Sequence, residues 1–308
     1  MAAGRAVELP GRGTTFVREV AGPRRAPTVI LLHGLAATGG LNWFAAFGPL
    51  GQHFRVVAID HRGHGRGLRS PAPFSLDDCA DDVVAVADQL GIRSFIPVGY
   101  SMGGPIAQLV WRRHPDRVDG LVLCATSRDF RGRWHERVQF AGLGLVMTGL
   151  RLAPVPAVER LAEQLPEGLA DVASRRWAFG ELRRHDVRSV LEAAEALGRF
   201  SSRAWIGDVD VPVSVVVTSQ DRLVPPRRQV KLASSIPTAV MHVVDGTHMA
   251  PGSDPDQFAD ALVDACRLVA RRAVQRPRPR ASRRPGVVSQ LDRWMSSARG
   301  RWRVKRSA

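Results

Sequence analysis

Six short apolar runs, separated by stretches of helical spacing, constrain the fold of this chain more than any other feature. Runs of this kind are typical of buried strands, and their alternation with helices builds a mostly parallel sheet with helices on its faces. The sequence therefore predicts an α/β fold. The predicted strands are Thr28–His33, Arg55–Asp60, Ser94–Gly99, Val118–Ala125, Val211–Thr218 and Ala239–Val244.

Helical spacing occupies most of the intervals between the runs, and Thr15–Val20 is predicted as an antiparallel strand at the sheet edge. The clearest helix start is at Ser75, because carboxylates follow it at the positive end of the helix dipole. The predicted helices are Leu41–Gln52, Ser75–Leu90, Ser101–Arg113, Arg227–Ser235 and Asp256–Arg271.

The interval 127–207 breaks this alternation. It contains no convincing strand but several helical segments rich in Leu, Ala and Arg, punctuated by prolines. About eighty residues of helix between two strands of one sheet are too many for an ordinary crossover. We therefore predict an inserted helical cap over 127–207, and a core formed by 1–126 together with 208–270.

The basic character of the chain belongs mainly to its C-terminal end. From Arg271 onward, thirteen Arg or Lys residues against one acid account for +12 of the formal net charge of +15, which leaves +3 for residues 1–270. A nucleic-acid-binding core is therefore not expected. We predict that residues 271–308 form a flexible, solvated tail without a partner. The second interpretation is peripheral contact with an anionic membrane, which Trp294 and Trp302 favour over contact with nucleic acid.

Cysteine usage and segment lengths predict the compartment. The three cysteines, Cys79, Cys124 and Cys266, are widely spaced and form no CxxC pair, so neither a disulfide framework nor a zinc site is expected. The apolar stretch Phe140–Leu150 is far shorter than the ~20 residues that span a bilayer. Since charged residues interrupt the first 25 positions, no secretory signal is expected, and a cytoplasmic location is predicted.

The GYSMG motif of residues 99–103 lies between a predicted strand and a predicted helix. A sharp turn there forces the central serine into a strained conformation that projects its hydroxyl above the sheet, and glycines on either side avoid collisions with the backbone. We therefore predict Ser101 as a nucleophile. The alternative interpretation is a glycine-rich turn with an ordinary capping serine.

A serine hydroxyl needs a base within hydrogen-bond reach and an acid that orients the base. On this architecture the expected chain order is Ser, then Asp or Glu, then His. Asp221 and His248 each follow a predicted strand, so both lie at the carboxyl edge of the sheet, where open α/β sheets place their sites. We predict them as the acid and the base. Asp245 is the rejected alternative, because it lies too close to His248 in one turn.

An oxyanion requires two backbone donors. The N–H of Met102, directly after the nucleophile, is predicted as one, and the N–H of Leu35, in the HGLAATGG loop of residues 33–40, as the other, with Ala36 second. Trp43, Phe44 and Tyr100 are assigned to the substrate-binding wall, and the apolar cap stretch Phe140–Leu150 is expected to line a hydrophobic entrance. Core packing explains the aromatic and cap residues about equally well.

Over roughly residues 10–270 the chain resembles the α/β-hydrolase superfamily, in its serine esterase and lipase-like branch. The resemblance rests on HGLAATGG, DHRGHG at 60–65, GYSMGG, SQDRLVP and DGTHMAP. It implies an α/β-hydrolase fold with a Ser-Asp-His triad, no metal or organic cofactor, and a structural role for the DHRGHG loop. It excludes relatives with an aspartate nucleophile, because the elbow carries Ser101.

These observations predict hydrolysis of a carboxylic ester or a related acyl bond, through an acyl-enzyme, with a small hydrophobic substrate. Close alternatives are a C–C bond hydrolase or a haloperoxidase-like esterase that uses the same triad. An alternative from another class is a binding protein of this fold that recognises a ligand without turnover.

Overall fold

The computed structural model describes residues 2–130, 149 and 172–275. The strands are β1 (Gly4–Leu9), β2 (Gly13–Val20), β3 (Thr28–Leu32), β4 (Arg55–Ile59), β5 (Ile96–Tyr100), β6 (Leu121–Cys124), β7 (Val213–Thr218) and β8 (Ala239–Val244). They form one sheet in the order β1-β2-β4-β3-β5-β6-β7-β8. The pairs β1–β2 and β2–β4 are antiparallel, and the pairs from β4 to β8 are parallel. The predicted α/β fold is confirmed.

The described helices follow the strands in alternation through most of the chain. They are α1 (Gly39–Trp43), α2 (Phe47–Gly51), α3 (Leu76–Gln89), α4 (Gly103–Arg113), α5 (Val172–Leu182), α6 (Val187–Arg199), α7 (Pro226–Ala233), α8 (Ala250–Ser253) and α9 (Pro255–Gln275). Short 3₁₀ turns occur at Pro115–Arg117 and Ile206–Asp208.

Both faces of the central sheet are buried. In β3, Ile30 and Leu32 point to the face covered by α3, α4 and α7, whereas Val29 and Leu31 point to the face covered by α1, α2 and α9. Since a strand covered on both faces needs apolar residues at every position, the central strands are continuous apolar runs in the sequence. Because the strands from β4 to β8 run parallel, their carboxyl ends lie at one rim of the sheet.

The edge strand β1 was not predicted from the sequence. It pairs with β2 as a hairpin in which Leu9 is opposite Gly13, but only Val7 and Leu9 of its six residues are buried. A strand at the sheet edge carries few apolar residues, so it leaves no continuous apolar run in the sequence.

The predicted helix 41–52 is two short helices, α1 and α2. Pro49 lies within α2 and has no N–H to pair with the carbonyl of Ala45. A continuous helix would leave that bond unmade, and the chain turns between the two helices instead. The first of the two, α1, begins directly after the loop 33–38, where the side chain of Thr38 caps it.

The predicted cap and tail are described only in part. Within 127–207 the structure describes α5 and α6, and Asp129 forms an isolated antiparallel bridge with Ser201. Nearly all of the predicted entrance segment Phe140–Leu150 lies outside the described residues, as do residues 276–308. The helix α9 continues to Gln275, five residues beyond the predicted end of the core.

All three cysteines are free and buried. Cys79 lies on the α3 face of the sheet, whereas Cys124 and Cys266 lie on the α9 face. Burial raises the pKa of all three thiols. Among the described residues, no helix combines the length and the apolar character that crossing a bilayer demands. The cytoplasmic location and the membrane contact of the tail stay predictions.

Candidate active site

Ser101 occupies the turn between β5 and α4 in a left-handed backbone conformation, with φ of 50°. Its N–H donates to the carbonyl of Cys124 on the neighbouring β6, at 3.0 Å. Its own carbonyl accepts from the N–H of Gly104 at 3.0 Å and from the hydroxyl of Thr126 at 2.7 Å. A non-glycine residue in this region is strained, and these bonds hold it there.

Two glycines of the turn have no room for a side chain. A Cβ at Gly99 would lie 2.2 Å from the carbonyl oxygen of Gly103, and one at Gly103 would lie 2.1 Å from the carbonyl oxygen of Leu32. The elbow therefore packs directly on β3 and on the first turn of α4. This close backbone approach is the physical reason for the glycines of the motif.

His248 reaches Ser101 from the loop after β8. Its Nε2 lies 3.0 Å from the Ser101 hydroxyl oxygen, and its Nδ1 lies 2.7 Å from Oδ2 of Asp221. Since a carboxylate only accepts, the network assigns the imidazole proton to Nδ1 and leaves Nε2 free to accept the serine proton. The structure thus brings the three predicted triad residues into one chain of hydrogen bonds.

Asp221 has no exposed side-chain surface, and every contact of its carboxylate is a donor. Oδ1 accepts from the N–H groups of Leu223 and Val224, each at 2.8 Å. Besides His248, Oδ2 accepts from the Thr218 hydroxyl at 2.9 Å and from the Gln229 amide at 3.1 Å. These bonds compensate the burial of the carboxylate and fix its direction toward the imidazole.

Tyr100 supports His248 and is not placed as a substrate wall. Its hydroxyl donates to the carbonyl of His248 at 2.7 Å, and the rings lie 5.4 Å apart. Burial raises the pKa of Tyr100, so the phenol remains a donor at neutral pH. This corrects the assignment to substrate binding, because the polar end of the side chain is used on the histidine backbone.

Trp43 is also corrected. Its side chain is 0% exposed and packs in the core, edge-on to Tyr100 and tilted against Phe258 of α9. Apolar residues of a short helix beneath the sheet rim look the same in sequence as residues that line an entrance. Phe44 is half-buried at the end of α1, and its predicted role in the substrate wall stays a prediction.

The loop 33–38 lies directly against the nucleophile. A Cβ placed on Gly34 would lie 3.3 Å from Cβ of Ser101, and the N–H of Gly34 is held by Oδ1 of Asn42 at 2.9 Å. Leu35 follows Gly34, and Met102 follows Ser101 at the start of α4, so both predicted oxyanion donors flank the serine. Their function as donors stays a prediction.

A model of the family described as "alpha/beta hydrolase fold" matches residues 27–255. The chain belongs to the α/β-hydrolase family. The putative carbamate hydrolase RutD of Agrobacterium fabrum is 30% identical over 253 residues, which cover 77% of this chain and 92% of the relative. The pimeloyl-[acyl-carrier protein] methyl ester esterase of Chromobacterium violaceum is 33% identical over 249 residues, with 78% and 94% covered.

Solved structures agree on the fold of this α/β hydrolase. The crystal structure of the enol-lactonase from Burkholderia xenovorans LB400 superposes with a TM-score of 0.67 at 24% identity, and covers 84% of this chain and 98% of that one. Identity at this level shows the fold alone. The names of the Agrobacterium and Chromobacterium relatives both describe hydrolases, which supports a hydrolase.

Four buried histidines of this α/β hydrolase form a group at the loop 33–38, and one of them, His33, belongs to the loop. They form a group in which ring centroids of neighbouring members are 4.4–5.4 Å apart, and they are His33, His61, His64 and His185. Burial lowers the pKa of His33 and lowers those of the other three to about 3, 4 and 3, respectively. They are therefore neutral at physiological pH. No set of described His, Cys, Asp or Glu side chains has the arrangement of a metal site.

His33 holds the loop 33–38. Its Nδ1 donates to the carbonyl of Gly34 at 2.7 Å, and its Nε2 accepts from the N–H of His61 at 2.9 Å. Asp60 ties the same region together, because its two oxygens accept from the N–H groups of Gly39 at 2.8 Å and Arg66 at 2.9 Å. Burial raises the pKa of Asp60 to about 6, against the effect of these two bonds.

Sequence reasoning did not find the supporting residues of the α/β hydrolase site. Gln229 of α7 and Thr218 of β7 hold Asp221, and Asn42 of α1 holds Gly34. Each is a polar residue that is buried by tertiary contacts. Nothing in the spacing of one sequence separates such residues from ordinary surface positions.

Proposed function

We propose that this protein is a serine hydrolase that cleaves a carboxylic ester or a related acyl bond. The observation that carries the proposal is the continuous chain of hydrogen bonds from the Ser101 hydroxyl through His248 to Asp221, at 3.0 and 2.7 Å. A serine on a strained turn, a neutral imidazole and a buried carboxylate in this order are what nucleophilic acyl transfer requires.

The first half of the proposed reaction forms an acyl-enzyme. As the Ser101 oxygen attacks the carbonyl carbon, Nε2 of His248 accepts the hydroxyl proton, and Asp221 stabilises the imidazolium through Nδ1. Collapse of the tetrahedral intermediate breaks the bond to the leaving group. The imidazolium returns the proton to that group, which departs as an alcohol.

The second half of the reaction regenerates the serine. A water molecule loses a proton to His248 as its oxygen attacks the acyl carbon, and the bond to the Ser101 oxygen then breaks. The proton returns to the serine, and the carboxylic acid leaves. The N–H groups of Leu35 and Met102 donate to the oxyanion in both halves, and loss of one such donor typically costs about 3 kcal/mol of transition-state stabilisation.

The groups that the chain supplies and the names of its relatives together indicate the substrate class. Nucleophile, base, acid and oxyanion donors are all protein groups, so the proposed reaction needs no cofactor. Relatives are named as a methyl ester esterase, a carbamate hydrolase and an enol-lactonase. Esters, carbamates and lactones all have an electrophilic acyl carbonyl with an oxygen or nitrogen leaving group. We favour a small hydrophobic ester, and a carbamate is the second candidate because of the Agrobacterium relative.

The proposal is tested by labelling with a fluorophosphonate probe and by a panel of nitrophenyl esters, lactones and carbamates. We expect the native protein to be labelled and to turn over esters, and Ser101→Ala to lose both properties. Ser219→Ala is the matched control, because Ser219 is an exposed serine on the rim that contacts Asp245 and not the triad. Absence of labelling and turnover in the native protein would favour a binding protein.

A further inference from the structure

Glu181 is a buried carboxylate at the end of the cap helix α5. The residue is 2% exposed, and three guanidinium groups surround it. Oε1 accepts from Nη2 of Arg66 at 3.1 Å and lies 3.5 Å from Nε of Arg184, while Oε2 lies 3.8 Å from Nη2 of Arg18. Two of these cations belong to the core, so the carboxylate is shared between the cap and the core.

The bonding around this carboxylate is incomplete. Within the described residues, Oε2 of Glu181 and Nε of Arg18 have no hydrogen-bond partner, although both atoms are buried. Burial of an ion is tolerated only when opposite charges compensate it. Glu181 is therefore held in place chiefly by the positive charges around it, and a neutral side chain would remove the negative charge that these guanidinium groups share.

The first route from Glu181 to the proposed oxyanion loop is steric. The guanidinium of Arg18 packs directly against Gly40: a Cβ at Gly40 would lie 3.0 Å from Nε of Arg18. The same Cβ position is 3.0 Å from the ring of Trp177, which precedes Glu181 by one turn of α5. Gly40 belongs to α1, which follows the loop that carries Leu35.

The second route consists of hydrogen bonds. Arg66 contacts Glu181 with its guanidinium and donates its backbone N–H to Asp60 at 2.9 Å. The other oxygen of Asp60 accepts from the N–H of Gly39 at 2.8 Å. Arg66 and Asp60 thus connect the cap carboxylate to the start of α1. Both routes end within five residues of Leu35.

We propose that Glu181 is a positioning residue. Through Arg18 and Arg66, its carboxylate couples the position of cap helix α5 to the geometry of residues 33–40, which are the loop 33–38 and the start of α1. This inference rests on the proposed function, because the loop matters to catalysis only if Leu35 donates to an oxyanion. A donor displaced by a fraction of an ångström stabilises the transition state less, without weakening the binding of the substrate.

The test compares Glu181→Gln with Glu195→Gln. Glu195 is the matched control, because it lies on the adjacent cap helix α6, and its one ion pair within the described residues is an exposed pair with Arg199. For nitrophenyl acetate, which is too short to need the cap, we expect Glu181→Gln to lower kcat about tenfold with little change in KM. Glu195→Gln should retain native kcat. A raised KM for long esters, with native kcat for the acetate, would reduce Glu181 to a residue of the substrate entrance and overturn the proposal.

Hydrogen exchange gives a readout that does not depend on activity. We expect peptides that cover 33–43 and 60–69 to exchange faster in folded Glu181→Gln than in the native protein. In Glu195→Gln, the same peptides should exchange at the native rate. Unchanged exchange in 33–43 would overturn the coupling even if α5 itself exchanged faster. If Glu181→Gln does not fold, Arg66→Met removes the guanidinium contact from the core side and retains the backbone donor to Asp60. The inference then predicts the same exchange pattern for this variant.

The failure of the coupling is distinguishable from the failure of the proposed function. A native protein that neither hydrolyses esters nor takes up the fluorophosphonate probe refutes the serine hydrolase. A native protein that does both, with a Glu181→Gln variant that matches Glu195→Gln in kcat and exchange, refutes the coupling alone.

Discussion

Asp221 and Glu181 are both buried carboxylates of this α/β hydrolase, yet their surroundings differ. Asp221 receives four hydrogen bonds besides that of His248, and three of them come from residues 218–224. Among the described residues, Glu181 receives one hydrogen bond, at 3.1 Å, and its cations come from β2, from the loop after β4 and from the turn after α5. The first site is built by its own loop, and the second exists only when distant segments meet.

This difference indicates how each carboxylate responds to change. A carboxylate whose lone pairs are satisfied by neighbouring backbone is preorganised, and it keeps its direction while the reaction shifts charge onto the imidazole. A carboxylate held by guanidinium groups of separate segments senses the relative positions of those segments. We therefore expect changes at Asp221 to affect chemistry, and changes around Glu181 to affect the junction of cap and core.

The largest expected effect is that of Asp221→Asn on turnover. The amide keeps the shape, but its oxygen stays with the N–H groups of Leu223 and Val224, so its NH2 group faces Nδ1 and donates to it. The imidazole then takes the wrong tautomer, and kcat should fall about 10⁴-fold. Initial rates with a nitrophenyl ester measure the loss. Asp245→Asn is the control, because this neighbouring acid is exposed and bonds Ser219 and Gln220; it should retain rates within about twofold. Equal losses in the two variants would contradict the assignment.

The next effect is a loss of stability at acid pH. We expect it to come from the buried histidines near the loop 33–38, and not from the triad. The buried histidines His61, His64 and His185 have folded-state pKa values lowered to about 3, 4 and 3, below the ordinary value of 6.5. The unfolded chain therefore binds more protons below pH 6.5. Their stabilising contribution is complete above that pH and is lost as the pH falls toward 3.

Each of these histidines should lower the free energy of unfolding by about 1 kcal/mol per pH unit below pH 6. Asp60 acts in the opposite direction between pH 4 and 6, because its folded-state pKa is raised to about 6, and it offsets part of the loss. Urea unfolding at several pH values measures the slope. His185→Asn preserves an acceptor for the N–H of Gly65 without titrating, so its slope should be shallower by about one proton. An unchanged slope would exclude His185 as a contributor.

A smaller effect is expected for Tyr100→Phe. The variant keeps the ring against Trp43 and Phe258 but removes the hydroxyl that donates to the carbonyl of His248. One lost hydrogen bond is worth about 1 kcal/mol, which corresponds to roughly a fivefold fall in kcat/KM. Native kcat/KM in Tyr100→Phe would show that the imidazole is held by Asp221 alone.

The smallest effect is a gain of stability at the nucleophile. Ser101 has φ of 50°, and glycine accepts this conformation without strain. Compared with Ser101→Ala, which keeps the strain, Ser101→Gly should unfold at higher urea concentration, by about 1 kcal/mol. Both variants lose the hydroxyl, so activity does not enter the comparison. Equal stability of the two variants would mean that the turn stores no strain.

The fold and the meeting of Ser101, Asp221 and His248 were predictable because the physics that creates them is local. Ser101, Asp221 and His248 each follow a buried strand, and a parallel sheet brings such positions to one rim without further information. The predicted strand Ala239–Val244 coincides with β8. The glycine at 99 was predictable for the same reason, because its steric demand comes from Gly103, within five residues. The demand at Gly103 comes from the carbonyl of Leu32 on β3, and only the motif pointed to that glycine.

The remainder depended on contacts between segments far apart in the chain. Trp43 looked like a residue of an entrance, but α9, more than 200 residues later, covers it. Glu181 looked like any helical glutamate until β2 and the loop after β4 surrounded it with arginines. Tertiary placement, and not spacing, decides whether such a residue is core, support or surface.

The three buried thiols can report local opening separately for the two faces of the sheet. Cys79 is enclosed on one side of the sheet, and Cys124 and Cys266 on the other. An alkylating reagent at neutral pH meets these sulfurs only during excursions in which the covering helices come away. Mass spectrometry of the modified peptides over time would therefore report how often each layer opens, separately for the two sides, without any engineered probe.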